Sequence, residues 1–147
     1  MPKKEDIIYL TGFFDGDGCI TTCPKWNFRV TISNTDKNIL NWIKKNFGGN
    51  INNQFYSENP KHNVAWKWVI AKRSDLLKYL EMIYPYLKIK NKQAKIVINH
   101  LKKYPALKGK EKYNNQRDRI KEEKEYFIAK EKVRKLKTDK HYFRGDK

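Results

Sequence analysis

The segment from residue 7 to residue 19 constrains the fold of this chain more than any other. It begins as an apolar helical stretch, carries Gly12 and Gly16 four residues apart, and ends in two aspartates, Asp15 and Asp17, that alternate with glycine. Glycines at this spacing lie on one face of a helix, where the missing Cβ atoms let a second backbone approach closely. Acidic residues at a helix C-terminus are disfavoured by the helix dipole unless a positive charge joins them. The segment therefore predicts a closely packed helix that ends at an acidic, cation-binding site.

The net charge of the chain indicates an anionic partner. Lys and Arg number 33 against 16 Asp and Glu, which gives a formal charge of +17 over 147 residues. An aromatic content of 14% is too high for a disordered basic protein, and this length suits one domain with its own core. Two cysteines are too few for a Cys-ligated zinc site. The N-terminal apolar run is broken by Gly and Asp within about ten residues, so we expect no signal peptide and no membrane span, and hence a soluble, intracellular protein in the cytoplasm or an organelle.

Hydrophobic periodicity predicts an α+β fold with the order helix, hairpin, helix, hairpin, helix. Period-two alternation of apolar and polar residues marks the strands, and apolar residues at helical spacing mark the helices. The predicted elements are a first helix from an N-cap at about Asp6 to Asp15 or Asp17, strands over 19–23 and 26–33, a second helix over 36–47, strands over 50–56 and 63–70, a third helix capped by Ser74, and a fourth helix over 91–103. Gly16 and Gly18 are expected to stop the first helix.

The four predicted strands form an antiparallel sheet with helices on one face and the other face free. Val64, Trp66 and Trp68 fall in the pattern of the helix-covered face, so we assign the two tryptophans to the core rather than to RNA stacking. Amide, hydroxyl and cationic side chains follow the other face, and such groups can bind base edges in the DNA major groove. The alternative is a merely solvated face, but the charge of +17 favours DNA binding. The candidate DNA-binding residues are Asn27, Arg29, Thr31, Asn52, Gln54, Tyr56 and Lys67.

The composition of residues 105–147 predicts a basic helical extension. This extension belongs to the same domain as the core at residues 1–104. Lys and Glu dominate residues 111–137, and the pattern leaves the order of residues 139–147 open. The apolar residues that form a weak stripe along this helix are Ile120, Tyr126, Phe127, Ile128, Val133 and Leu136.

Two stretches carry a family resemblance. Residues 10–18, LTGFFDGDG, resemble the nine-residue signature of the LAGLIDADG homing endonucleases, and residues 87–94, LKIKNKQA, resemble the stretch after the third helix of members with a single signature. The resemblance covers roughly residues 6–103 and implies the αββαββα fold of that family. It also implies cleavage of both strands of a long, roughly palindromic DNA site. Because one copy of the signature is present, it implies a homodimer with Gly12, Phe13 and Gly16 at the interface.

The resemblance further implies which residues form the active site. Asp17 is the catalytic carboxylate and a metal ligand, and Gly16 contributes its carbonyl oxygen to the same ion. Lys90 offsets charge on the phosphate in the transition state, and Asn34 positions water. An oxygen-only ligand set suits Mg²⁺, with Mn²⁺ as a substitute or Ca²⁺ in a non-cleaving state. Asp15 is assigned a structural role at the helix end.

One departure from the family concerns the first hairpin. Its turn at residues 24–25 is shorter than in relatives, which predicts fewer contacts to the outer base pairs. Thr11 and Phe14 also differ from the letters of the signature, but small and apolar residues still occupy the expected helix faces.

Two alternative functions compete with the nuclease. An EF-hand loop starting at Asp15 needs Gly at its sixth position and Glu at its twelfth, where Ile20 and Trp26 stand, so we exclude it. A non-cleaving binder of the same fold, either an intron RNA maturase or a DNA-binding regulator, stays open. The acidic Asp17 favours the nuclease, and neither a membrane nor a small-molecule substrate is expected.

Overall fold

The computed structural model describes residues 2–53, 64–107 and 119–138. The elements within these ranges are α1 (Lys4–Asp17), β1 (Gly18–Cys23), β2 (Asn27–Asn34), α2 (Lys37–Phe47), β3 (Asn50–Asn53), β4 (Trp66–Ile70), α3 (Arg73–Ile83), a 3₁₀ turn (Tyr84–Tyr86), α4 (Asn91–Lys103) and α5 (Arg119–Thr138). Their order confirms the predicted α+β fold. None of these helices is long and apolar enough to span a membrane.

The four strands form one antiparallel sheet in the order β1-β2-β4-β3. One cross-strand row joins Gly18 to Ile32, Ile32 to Trp68, and Trp68 to Ile51. Ile32 and Trp68 are fully buried in this row, which therefore belongs to the helix-covered face. Side chains at the alternate positions of each strand face away from the helices, as the period-two pattern predicts.

The core lies between this sheet and the helices. Phe14 of α1 packs edge-on against Tyr79 of α3 with ring centroids 5.8 Å apart, and Tyr79 packs against Trp68 at 5.3 Å. The assignment of Trp68 to the core is confirmed, whereas Trp66 is half-buried. The prediction for Val64 was wrong, because it precedes β4 and is 46% exposed.

Two predicted helix caps were also wrong. The N-cap of α1 is Lys3, so Asp6 lies within the first turn, where the helix dipole favours its charge. The N-cap of α3 is Lys72, which places Ser74 inside the helix. Neither lysine makes a side-chain cap, whereas Asp36 caps α2 as its side-chain oxygen accepts the Asn38 N–H at 2.8 Å.

Helix α5 packs against α4 and the first hairpin. Its buried residues follow the helical spacing of Glu122, Tyr126, Ala129 and Val133. The predicted stripe was wrong for three other residues, since the exposed fractions of Ile120, Phe127 and Ile128 are 69%, 48% and 55%. The reason is that the buried face contains a carboxylate, which an apolar pattern cannot reveal. Residues 108–118 and 139–147 of the predicted extension lie outside the described residues.

Candidate active site

Helix α1 presents one buried face and one open face. Leu10 and Phe14 are fully buried against the core, whereas Gly12 and Gly16 are exposed on the other side. A Cβ atom added to either glycine meets no atom within 4 Å in the single chain. The glycine face is therefore open to a second helix.

The two aspartates at the end of α1 are held differently. Asp15 is only 8% exposed, and its carboxylate accepts the backbone N–H groups of Lys88, Ile89 and Lys90 at 2.7, 3.2 and 3.0 Å. Three donors satisfy the charge that the helix end disfavours. Asp15 thus has the structural role expected of it, with partners that lie more than seventy residues along the chain.

Lys90 is drawn to the same helix end by its own side chain. Its Nζ donates to the Asp15 backbone oxygen at 2.5 Å, so it uses one of the carbonyl groups that a helix C-terminus leaves without an intrahelical partner. Asp17 follows Asp15 by two residues and is exposed. The structure therefore brings Lys90 to the end of the helix that carries Asp17.

Asn34 is the last residue of β2 and lies at the end of the sheet where α1 joins β1. Gly18 directly follows Asp17 and pairs with Ile32, and Asn34 lies two residues beyond that pair. The side-chain oxygen of Asn34 accepts the Asp36 N–H at 2.8 Å. This bond leaves the amide nitrogen, which has no hydrogen bond to a described residue, as the group that can meet a water molecule.

The donor set at the end of α1 suits a hard divalent cation. Asp17 offers a carboxylate that makes no hydrogen bond within the described part of the chain, and Gly16 offers a backbone oxygen close by. Nowhere in residues 2–53, 64–107 or 119–138 do three His, Cys, Asp or Glu side chains come together to hold an ion. The end of α1 therefore supplies ligands of the type that such a cation prefers.

The outer face of the sheet carries several of the candidate DNA-binding residues. Register places Arg29 opposite Thr21, and the Arg29 Nε donates to the Thr21 hydroxyl at 3.2 Å, which orients the guanidinium. Lys67 pairs with Asn52 on the same face. A cation and amide groups thus share one surface, as the sequence predicts.

Other candidates for DNA binding are less accessible. Thr31 pairs with Cys19 and Val69 in the middle of the sheet and is only 5% exposed. The Asn27 side-chain nitrogen donates to the Ala71 backbone oxygen at 2.7 Å, so it is engaged within the chain. Gln54 and Tyr56 lie outside the described residues.

Sequence reasoning missed the contacts that join distant elements at this site. The Lys137 Nζ of α5 donates to the backbone oxygen of Ile20 in the edge strand β1 and lies 3.5 Å from the Cys19 sulfur. A local pattern carries no signal for such a pair. The Asp15 contacts were indicated in the sequence in one respect only. An acidic residue in the last turn of a helix needs hydrogen-bond donors from elsewhere in the chain.

Comparisons with known proteins agree with this geometry. The model of the LAGLIDADG-like domain matches residues 4–84. The DNA endonuclease I-CreI of Chlamydomonas reinhardtii is 27% identical over 114 residues, which cover 72% of this chain and 68% of that protein.

Solved structures share the fold. The homing endonuclease I-CvuI, in complex with its target in the presence of 2 mM Ca, has a TM-score of 0.68 at 24% identity and covers 90% of this chain and 82% of its own. The archaeal intron-encoded homing endonuclease I-Vdi141I, complexed with DNA, has a TM-score of 0.67 at 15% identity. The match covers 90% of this chain and 84% of that one. By its domain match, its related sequence and its fold, this chain belongs to the LAGLIDADG homing endonuclease family.

Proposed function

We propose that this chain is a site-specific DNA endonuclease that makes a double-strand break in a long, pseudo-palindromic DNA site. The observation that carries the proposal is the Asp15 cluster, which holds Lys90 at the exposed end of α1 where Asp17 stands. A carboxylate and a lysine side by side are suited to a reaction at a phosphodiester group. The endonuclease I-CreI and the DNA-bound homing endonucleases of the same fold support the same activity.

The active form is a homodimer in which the open glycine faces of two α1 helices meet. Gly12 and Gly16 leave room for close backbone approach, and Phe13 beside them is half-buried in the single chain. A two-fold axis sets the same patch of each chain against itself. It also brings two Asp17 carboxylates together and makes one long basic surface from two sheets, which matches a roughly palindromic site.

Each subunit contributes four groups to hydrolysis. When bound, a divalent cation such as Mg²⁺ lowers the pKa of water and stabilises the leaving oxygen of the phosphodiester. Asp17 and the Gly16 carbonyl oxygen would hold this cation. Lys90 offsets the charge that grows on the phosphate, and the Asn34 amide orients the attacking water. The water oxygen bonds to phosphorus as the bond to the leaving sugar oxygen breaks.

The test separates binding from cleavage. Duplexes that bind the full-length protein are selected from a randomised pool in Ca²⁺, and the enriched duplex is then incubated with Mg²⁺. We expect cleavage of both strands by the wild type, whereas Asp17→Asn binds with similar affinity and does not cleave.

The matched control is Asp75→Asn, which removes an exposed aspartate on α3 and is expected to leave cleavage intact. Tight binding by the wild type with no cleavage in Mg²⁺ or Mn²⁺ contradicts the nuclease and favours a non-cleaving binder. Unchanged cleavage by Asp17→Asn contradicts the assigned role of that carboxylate.

A further inference from the structure

A basic cavity lies at the far end of the first hairpin, away from Asp17. Its volume is about 780 Å³, and it opens between the β1–β2 turn and the N-terminal ends of α3 and α5. The charged and aromatic residues in its lining are Lys25, Trp26, Lys72, Arg73, Arg119 and Glu122.

Among the described residues that line the cavity, the one carboxylate is paired. Arg73 donates to Glu122 at 2.8 Å, to the Tyr104 backbone oxygen at 3.0 Å and to the Trp26 backbone oxygen at 3.1 Å. Arg73 is therefore occupied in joining α3, α5 and the turn, and it does not serve as a free ligand-binding cation.

Three further cations line the cavity among the described residues. Lys25, Lys72 and Arg119 are exposed, and none of them forms an ion pair with a described residue. Like charges gathered around one cavity repel each other unless an anion joins them. The lining thus favours an anionic ligand.

The turn that borders the cavity has an unusual backbone. Lys25 and Trp26 adopt φ values of 64° and 54°, a region that non-glycine residues seldom enter and that is costly for a bulky one. The Arg73 bond to the Trp26 oxygen stabilises this conformation. The short turn is therefore fixed in a strained shape at the edge of the cavity.

Distance along the sheet indicates which anion this is. β1 runs from Gly18, next to Asp17, through six residues to Cys23 at the turn. Six residues of strand span about 20 Å, which corresponds to about six base pairs of DNA. DNA that lies along the sheet from the active site passes this turn and continues beyond it.

We propose that the cavity binds the phosphodiester backbone of the target DNA beyond the outermost bases that the sheet contacts. The proposal rests on the DNA binding proposed above. In this arrangement the short turn contributes to DNA affinity through phosphate contacts, because Lys25, Lys72 and Arg119 bind the backbone beyond the last base contact. Such contacts carry no sequence preference, since phosphates are the same at every base pair.

The test compares two duplexes, the selected site alone and the same site with about ten unrelated base pairs added at each end. For the wild type we expect the added flanks to tighten binding at least 10-fold at low salt, whatever their sequence. We also expect the logarithm of the association constant to fall more steeply with the logarithm of the salt concentration, with a slope steeper by about 0.9 for each added phosphate contact. In the triple variant Lys25→Gln, Lys72→Gln, Arg119→Gln both gains are lost.

The control variant is Lys78→Gln, Lys124→Gln, Lys130→Gln, which removes the same charge from exposed positions on α3 and α5 outside the cavity lining. It should keep the gain from the flanks. Equal affinity of the wild type for both duplexes, or an equal loss of the gain in the control, overturns the phosphate site and leaves the nuclease proposal standing. Absence of binding to either duplex overturns both.

Discussion

Asp15 and Asp17 are separated by one glycine and have opposite surroundings. The first is buried and accepts three backbone N–H groups, whereas the second is exposed and makes no hydrogen bond to a described residue. The Asp15 carboxylate is buried and three of its roughly four acceptor sites are used by backbone donors, so it is less available to an ion than the Asp17 carboxylate. Burial, and not residue type, therefore separates the structural role of Asp15 from the catalytic role proposed for Asp17.

Asp15→Asn should destabilise the protein, because an amide has one acceptor oxygen and no charge to match three donors. Loss of charged hydrogen bonds to buried groups costs about 1.5–3 kcal/mol, so we expect a lower melting temperature in thermal unfolding. Asp17→Asn is the matched control and should keep the wild-type melting temperature. An equal loss in both variants contradicts this division.

Tyr79→Phe should preserve or raise stability. Tyr79 is 2% exposed, its hydroxyl has no hydrogen-bond partner in the described part of the chain, and burial raises the pKa of that hydroxyl well above its ordinary value. Removal of an unsatisfied buried hydroxyl leaves the ring contacts with Phe14 and Trp68 in place. We expect a gain of up to about 1 kcal/mol in the free energy of unfolding by urea titration, and a clear loss contradicts it.

Gly18 forms the junction between α1 and β1. The sequence suggests a helix stop through backbone freedom, but Gly18 has φ of −79° and ψ of 162°, which any residue adopts. What matters is space, since a Cβ atom here would lie 2.1 Å from the ring of Phe14, which is fully buried. The junction needs glycine for packing.

Gly18→Ala should therefore destabilise the fold by about 1–3 kcal/mol, as overpacking of a core does. The matched control is Gly16→Ala, whose added Cβ meets nothing within 4 Å inside the chain. The control should retain monomer stability, because alanine also favours a helix. Chemical denaturation of both at a concentration that keeps them monomeric checks the difference.

Local patterns predicted the elements well and the contacts between them poorly. α4 spans the predicted 91–103, and α2 at Lys37–Phe47 falls within the predicted 36–47, because apolar spacing is a property of a short stretch. The buried face of α5 was mispredicted because Glu122 is buried by Arg73, 49 residues earlier. The sequence likewise indicated Asp17 and Lys90 but not the Asp15 bonds that unite them, since neither end of a long-range hydrogen bond predicts the other.

At the scale of the whole molecule, one face of α1 is open in the single chain. Ile8 and Tyr9 are 45% and 56% exposed near Gly12 on this helix, so apolar surface accompanies the glycines. Exposed apolar residues next to a close-approach face are typical of an interface. The open face thus supports the homodimer proposed above.

Gly12→Leu should abolish dimerisation and cleavage together. The leucine fits a single chain, because nothing lies within 4 Å of the added Cβ, and it favours the helix, so the monomer should remain folded by circular dichroism. Sedimentation velocity should report a monomer where the wild type gives a dimer. A dimeric variant that still cleaves refutes the glycine interface.

The bonds between Asp15 and the segment before α4 also order events in time. They close a loop of 75 residues, so the contact that brings Lys90 to the end of α1 is late and non-local in folding. At typical rates of synthesis, about 4–15 s separate the appearance of Asp15 from that of Lys90. A nascent chain that exposes its acidic helix end is therefore inert until the second half has emerged, and a truncated product lacks a complete nuclease site.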